Sequence, residues 1–182
     1  SLICANTTFS DNSTGPGLVS ELTTSNCVPS EAYSNWYKFT VNTSGTLGFT
    51  LASGGNDYDF ALFGPNVNCA ALGNPLRCSY SGVTTNTGLN FTATDQTEGA
   101  AGDGWVQYIN VTAGQTFYLC VSRWDPGGNG FGLTWTGTAS LDCTPLPVEW
   151  LSFDAVNENN KVVLNWTTAS EFQNDRFEIE RS

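Results

Sequence analysis

Short runs of alternating apolar and polar residues, each closed by a Gly-, Asn- or Pro-containing turn, constrain this chain more than any other feature. Alternation with period two puts one set of side chains on a buried face and the other in solvent, which is the pattern of a β-strand. The runs are residues 36–41, 46–52 (TLGFTLA), 58–63, 105–111 (WVQYINV), 116–123 (TFYLCVSR) and 131–136 (FGLTWT). The turns between them include 42–45 (NTSG), 53–56 (SGGN), 112–115 (TAGQ) and 126–130 (PGGNG). No helical pattern extends beyond a turn or two. Regularly spaced short strands predict an all-β fold, an antiparallel sandwich or jelly roll.

Composition agrees and narrows the chemistry. Thr, Gly, Asn and Ser make up 76 of the 182 residues, so solubility rests on neutral polar groups rather than charge. These residues favour turns and strands over helices. With 6 Lys and Arg against 17 Asp and Glu, the net charge is −11. That argues against a phosphate-binding surface for nucleic acid and against docking on an anionic membrane. No apolar window is long enough for a membrane-spanning helix. There is no histidine, which removes Ser-His and Cys-His nucleophiles and His-ligated zinc or haem. The opening Ser1-Leu2-Ile3-Cys4 lacks a signal-peptide pattern and reads as a processed end.

The six cysteines are Cys4, Cys27, Cys69, Cys78, Cys120 and Cys143, with no C-x-x-C pair. An even number at these spacings predicts three disulfides and an oxidising, extracellular compartment. Fifteen connectivities are open to six cysteines. Short-loop closure favours Cys69–Cys78, and nearest-neighbour closure favours Cys4–Cys27 and Cys120–Cys143.

A boundary is expected at Thr144-Pro145-Leu146-Pro147. Charged side chains number 13 in residues 1–146 and 10 in residues 147–182 alone. The expected organisation is a disulfide-stabilised sandwich over 1–144, a proline-containing linker over 145–149, and a β segment over 150–182. That segment holds three strand-like runs, 150–156, 161–166 and 176–180. Three strands bury too little apolar surface to fold alone. Either the segment belongs to a larger sandwich, or its strands complete a sheet in the first domain or in a neighbouring subunit.

The wording of this tail is distinctive. LPVEWLSF (146–153), VLNWTTASE (163–171) and FEIERS (177–182) resemble the start of a fibronectin-type-III-like, Ig-related module. That module lies near the C-terminus of many surface proteins of gliding bacteria exported by type IX secretion. In the first domain, DYDFALFG (57–64), LRCS (76–79), EGAAGDGW (98–105) and VTAGQTFYL (111–119) resemble pre-peptidase C-terminal and CUB-like modules. The resemblance implies binding, adhesion or structural roles without catalysis, and in some members a calcium site.

Several residues are candidates for chemistry. Asp57 and Asp59 stand two apart, so in a strand both carboxylates face one side. Glu98 and Asp103 crowd a Gly-rich loop and Asp125 opens another. Calcium takes six to eight oxygens, which converging loops can supply, so Asp59, Glu98 and Asp125, with Asp57 and Asp103, are the expected Ca²⁺ ligands. The same carboxylates as an acid/base pair would make a small glycoside hydrolase. Trp105 and Trp124, at loop–strand junctions beside Gly and Asp, are the expected carbohydrate-stacking residues. Asn6, Asn12, Asn42, Asn90, Asn110 and Asn165 are formal N-glycan acceptors. The expected function is that of a secreted, non-catalytic structural or adhesive cell-surface protein. It would partner itself or cell-surface components and assemble into filaments through strand edges or the tail. The rival is a carbohydrate-binding accessory module of a secreted enzyme.

Overall fold

The computed structural model describes residues 2–3, 6, 8–12, 15, 22, 27–28, 31–141, 149–158 and 161–170. The described residues are all-β, without a helix. The chain divides into two compact units, Ser1–Asp142 and Cys143–Ser182.

The strands of the first unit are β1 (Leu2–Ile3), β2 (Phe9–Asp11), β3 (Tyr33–Thr43), β4 (Gly45–Ala52), β5 (Tyr58–Phe63), β6 (Arg77–Ser79), β7 (Thr87–Asn90), β8 (Thr97–Glu98), β9 (Trp105–Gln107), β10 (Ile109–Val111), β11 (Thr116–Arg123), β12 (Phe131–Gly137) and β13 (Ser140–Leu141). One sheet runs β1-β3-β11-β5-β6-β8, with β13 also on β3. The other runs β2-β12-β4-β7-β9, with β10 also on β4. The expected purely antiparallel pairing is corrected: β1–β3, β6–β8 and β7–β9 are parallel, so both sheets are mixed. These are short pairings in which a connecting loop returns to lie alongside a strand.

Alternation explains the layering. Leu47, Phe49 and Leu51 of β4 and Phe131, Leu133 and Trp135 of β12 join Phe39, Phe60, Leu62, Phe117 and Leu119 of the first sheet in one buried cluster. Phe39–Trp135 and Phe49–Phe60 meet edge to face at 4.9 and 5.1 Å, a favourable aromatic geometry. In β5 every residue is buried, because its outer face is covered as well. Ala61, Phe63, Cys78 and Cys120 form a second cluster there with Leu22 and Val28. Arg77 is buried without a carboxylate among its hydrogen-bond acceptors. It donates to the carbonyls of Gln107 (2.8 Å), Leu76 (2.7 Å) and Tyr108 (3.4 Å), and burial pushes its pKa down.

The outer face of the second sheet is the complement of this core. Register places Thr8, Thr134, Thr50, Gly88 and Trp105 in one row across five strands, Thr8 by extension of the β2–β12 pairing. The Thr8 and Thr134 hydroxyls hydrogen-bond at 3.1 Å. Thr136 and Gly48 lie in the next row beside Asn90 and Gln107. Ser10, Gly132 and Ala52 lie in the row on the other side. Among the described residues, no strand position on this face carries a charge.

The disulfide expectations are corrected. Cys27 bonds Cys78, with Cα atoms 6.4 Å apart and a sequence separation of 51. The pairings Cys69–Cys78 and Cys4–Cys27 are therefore excluded. Cys69 is an exposed thiol on the loop before β6. Cys120 faces the same buried cluster as the disulfide. Cys4 and Cys143 lie outside the described residues, so one disulfide, not three, is described.

The second unit contains a hairpin, β14 (Glu149–Glu158) against β15 (Lys161–Ser170). Register pairs Phe153 with Trp166 and Ala155 with Leu164, so these four share one face. The other face carries Asp154 with Asn165 and Val156 with Val163. Phe153 is 59% exposed and Val162 67%. Residues 176–180, expected as a third strand, lie outside the described residues.

Candidate functional site

Two places in the first unit gather the candidate residues, one on each sheet. On the first sheet, β5 and β11 set Asp59 opposite Ser122 and Ala61 opposite Cys120. The Trp124 N–H donates to the Asp57 carbonyl at 3.0 Å, which continues the ladder by one pair. Alternation then puts Asp57, Asp59, Ser122 and Trp124 on the outer face. Asp59 is only 3% exposed. One carboxylate oxygen of Asp57, Oδ1, is buried with no hydrogen-bond partner among the described residues. Burial, reinforced by the neighbouring charge of Asp57, pushes the Asp59 carboxyl up to about 8. Burial and Asp125 together raise Asp57. These groups thus compete for charge, and Asp59 keeps its proton at neutral pH.

The structure separates the five acids expected as calcium ligands. The charge of Asp125 acts on Asp57, and that of Asp57 on Asp59. Glu98 and Asp103 serve their own loop. The Glu98 carboxylate accepts the N–H groups of Asp103 (3.0 Å) and Gly104 (2.5 Å), and Asp103 Oδ1 accepts the Trp105 N–H at 2.9 Å. A Cβ on Gly102 would meet the Glu98 carboxylate, so a larger residue there would push that side chain off its backbone donors. Burial raises the Glu98 pKa, and those two backbone donors oppose the rise. The orphaned Asp57 oxygen fits a cation. Yet no three His, Cys, Asp or Glu among the described residues come together as a metal-ligand set, and two carboxylates fall short of the six to eight oxygens calcium takes.

The loop that Glu98 and Asp103 hold delivers Trp105 to the second sheet. Trp105 begins β9 beside Gly88. With Ser53, Gly54, Gly55, Thr84, Thr85 and Asn86 it lines an open depression of about 490 Å³. Ser53 is buried beneath it and donates to the Thr84 carbonyl at 2.8 Å, tying the β4–β5 turn to the loop that precedes β7. Trp124 is elsewhere: it is 50% exposed and meets Tyr80 edge to face at 6.2 Å on the first sheet. The two candidate tryptophans therefore do not form one site. Sequence reasoning missed Ser53 and residues 84–86, because 84–86 carry no strand pattern. The threonine rows are the polar half of TLGFTLA and FGLTWT, and only the pairing of β4 with β12 lines them up as a surface.

Comparison with protein-family models, with curated proteins and with solved structures finds no match to this chain.

Proposed function

We propose that this chain is a secreted, non-catalytic structural or adhesive protein of the cell surface. In this reading the first unit is a β-sandwich of CUB-like or pre-peptidase C-terminal type. The second unit supplies the opening strands of a fibronectin-like module, and the type IX export route follows from the wording of residues 146–182. The observation that carries the reading is the hairpin β14–β15. Among the described residues the second unit is a two-stranded sheet, which cannot bury a face by itself, and an edge left open pairs readily with another strand. Phe153, Ala155, Leu164 and Trp166 give that sheet an apolar face to bury. Strand addition from a second copy would satisfy both needs and propagate head to tail into a filament.

The rest of the molecule supports holding rather than turnover. The chain has no histidine. Asp59, the carboxyl raised into the neutral range, is buried too deeply to reach a substrate. The Cys27–Cys78 disulfide suits an oxidising compartment, and among the described residues no helix is long and apolar enough to cross a membrane. Negative-stain imaging and size-exclusion chromatography of the purified chain test the assembly. Fibres or large particles are expected, with loss of both on Leu164→Lys. A wild-type chain that stays monomeric at high concentration removes the reading.

A second reading, a carbohydrate-binding accessory module, is favoured by the neutral depression at Trp105. An aromatic platform among hydroxyl and amide groups is suited to a sugar ring, whose faces are C–H and whose rim is hydroxyl.

A further inference from the structure

We infer that the outer face of the second sheet is a binding platform for an uncharged polysaccharide, with Trp105 as the stacking residue at one end of a threonine row. The inference rests on the second reading above and names both the ligand class and the surface.

Charge is the first argument. The chain carries −11, yet among the described residues no strand position on this face holds a charged residue. An anionic glycan would be repelled by the molecule as a whole. A basic ligand would prefer the acidic surfaces elsewhere. A neutral chain is the ligand whose binding here leaves no charge desolvated and unpaired.

Shape is the second argument. Adjacent strands lie roughly 4.8 Å apart, so the row Thr134–Thr50–Gly88–Trp105 runs about 14 Å across four strands. That is a line of contacts for an extended chain rather than a pocket for one small molecule. Threonine presents a methyl and a hydroxyl side by side, matching the mixed C–H and O–H surface of a sugar. Gly88, at φ 147° and with the Phe49 carbonyl where a Cβ would go, accepts no side chain. The row therefore stays open beside the indole.

Preorganisation is the third argument. The Glu98 and Asp103 carboxylates fix the loop before Trp105, and Ser53 fixes the rim of the depression at the end of the row. Its volume of about 490 Å³ falls in the ordinary range of ligand sites. Binding then orders few groups that were free.

The test is affinity electrophoresis of the full chain through gels holding hydroxyethylcellulose, glucomannan or a soluble β-1,3-glucan. Alginate and carboxymethylcellulose serve as anionic probes. At least one neutral probe should retard the wild type and no anionic probe should. Trp105→Ala and the exposed Thr134→Glu should each weaken binding roughly tenfold or more, while Trp124→Ala leaves it unchanged. Thermal melts establish that Thr134→Glu is folded, and that variant decides alone if Trp105→Ala is not. Retention lost in Trp124→Ala but kept in the other two overturns this face while leaving the carbohydrate reading intact. No retardation by any neutral probe overturns both. Self-association in the absence of glycan that Thr134→Glu abolishes makes a second copy the occupant and overturns the inference.

Discussion

Replacing Asp59 by asparagine should make the protein more stable in alkaline solution and leave it nearly unchanged in acid. Unfolded, this carboxyl gives up its proton near its ordinary value of 3.8; folded, it holds the proton to about 8. Burial is the larger cause, and the Asp57 charge adds to it. Between those two values the native state binds more protons than the unfolded state, so stability falls as pH rises through the interval. Each tenfold change in proton affinity is worth about 1.4 kcal/mol, so the full loss is on the order of 5 kcal/mol above pH 8. Local relaxation around a charged Asp59 makes this an upper bound. Asparagine has the same shape and no charge, so the variant escapes the loss. The assay is urea or thermal unfolding of both proteins from pH 4 to pH 9. The difference between them should be close to zero at pH 4 and grow to several kcal/mol by pH 9. For a unit of this size that is roughly 10 °C in Tm. Other carboxylates also affect the wild-type curve, but they are common to both proteins and cancel in the difference. Parallel profiles, or a variant less stable than wild type at pH 9, would refute the reasoning.

Reduction of Cys27–Cys78, or Cys78→Ser, should destabilise the fold by about 4 kcal/mol at most, from the loop of 51 residues it closes. Unreduced peptide mapping should return the 27–78 pair, and alkylation without denaturant should label Cys69. A Cys69–Cys78 peptide would contradict the structure. Calcium held at the Asp57–Asp59 pair predicts a higher Tm in calcium than in chelator, a gap that Asp57→Asn abolishes; equal melting temperatures in the wild type remove calcium from the pair.

Local pattern decided which residues are strands and which way they face. The runs expected at 58–63 and 116–123 coincide with β5 and β11, even though FALF and FYLCV are unbroken apolar stretches, as suits strands covered on both faces. The period of two separated Leu47, Phe49 and Leu51 from Thr46, Gly48 and Thr50, and so drew the core and the neutral face together. The run 105–111 was legible as extended chain but not as two strands. Its break at Tyr108 lets β9 pair with β7 and β10 with β4, and only the partners reveal that.

Pairing across long separations belonged to the tertiary structure. Cys27 finds Cys78 rather than a nearer cysteine because loop-closure entropy grows only slowly with length, so proximity in sequence is a weak guide to contact. Glu98 looked like a metal ligand because its type and its glycine-rich setting allow it. In the fold two backbone N–H groups claim its oxygens, and donors of that kind are invisible in a sequence. Asp59 is the reverse case: its spacing from Asp57 puts both carboxylates on one side of a strand but does not say whether that side is covered. In the fold Asp59 is buried, and burial leaves it holding a proton.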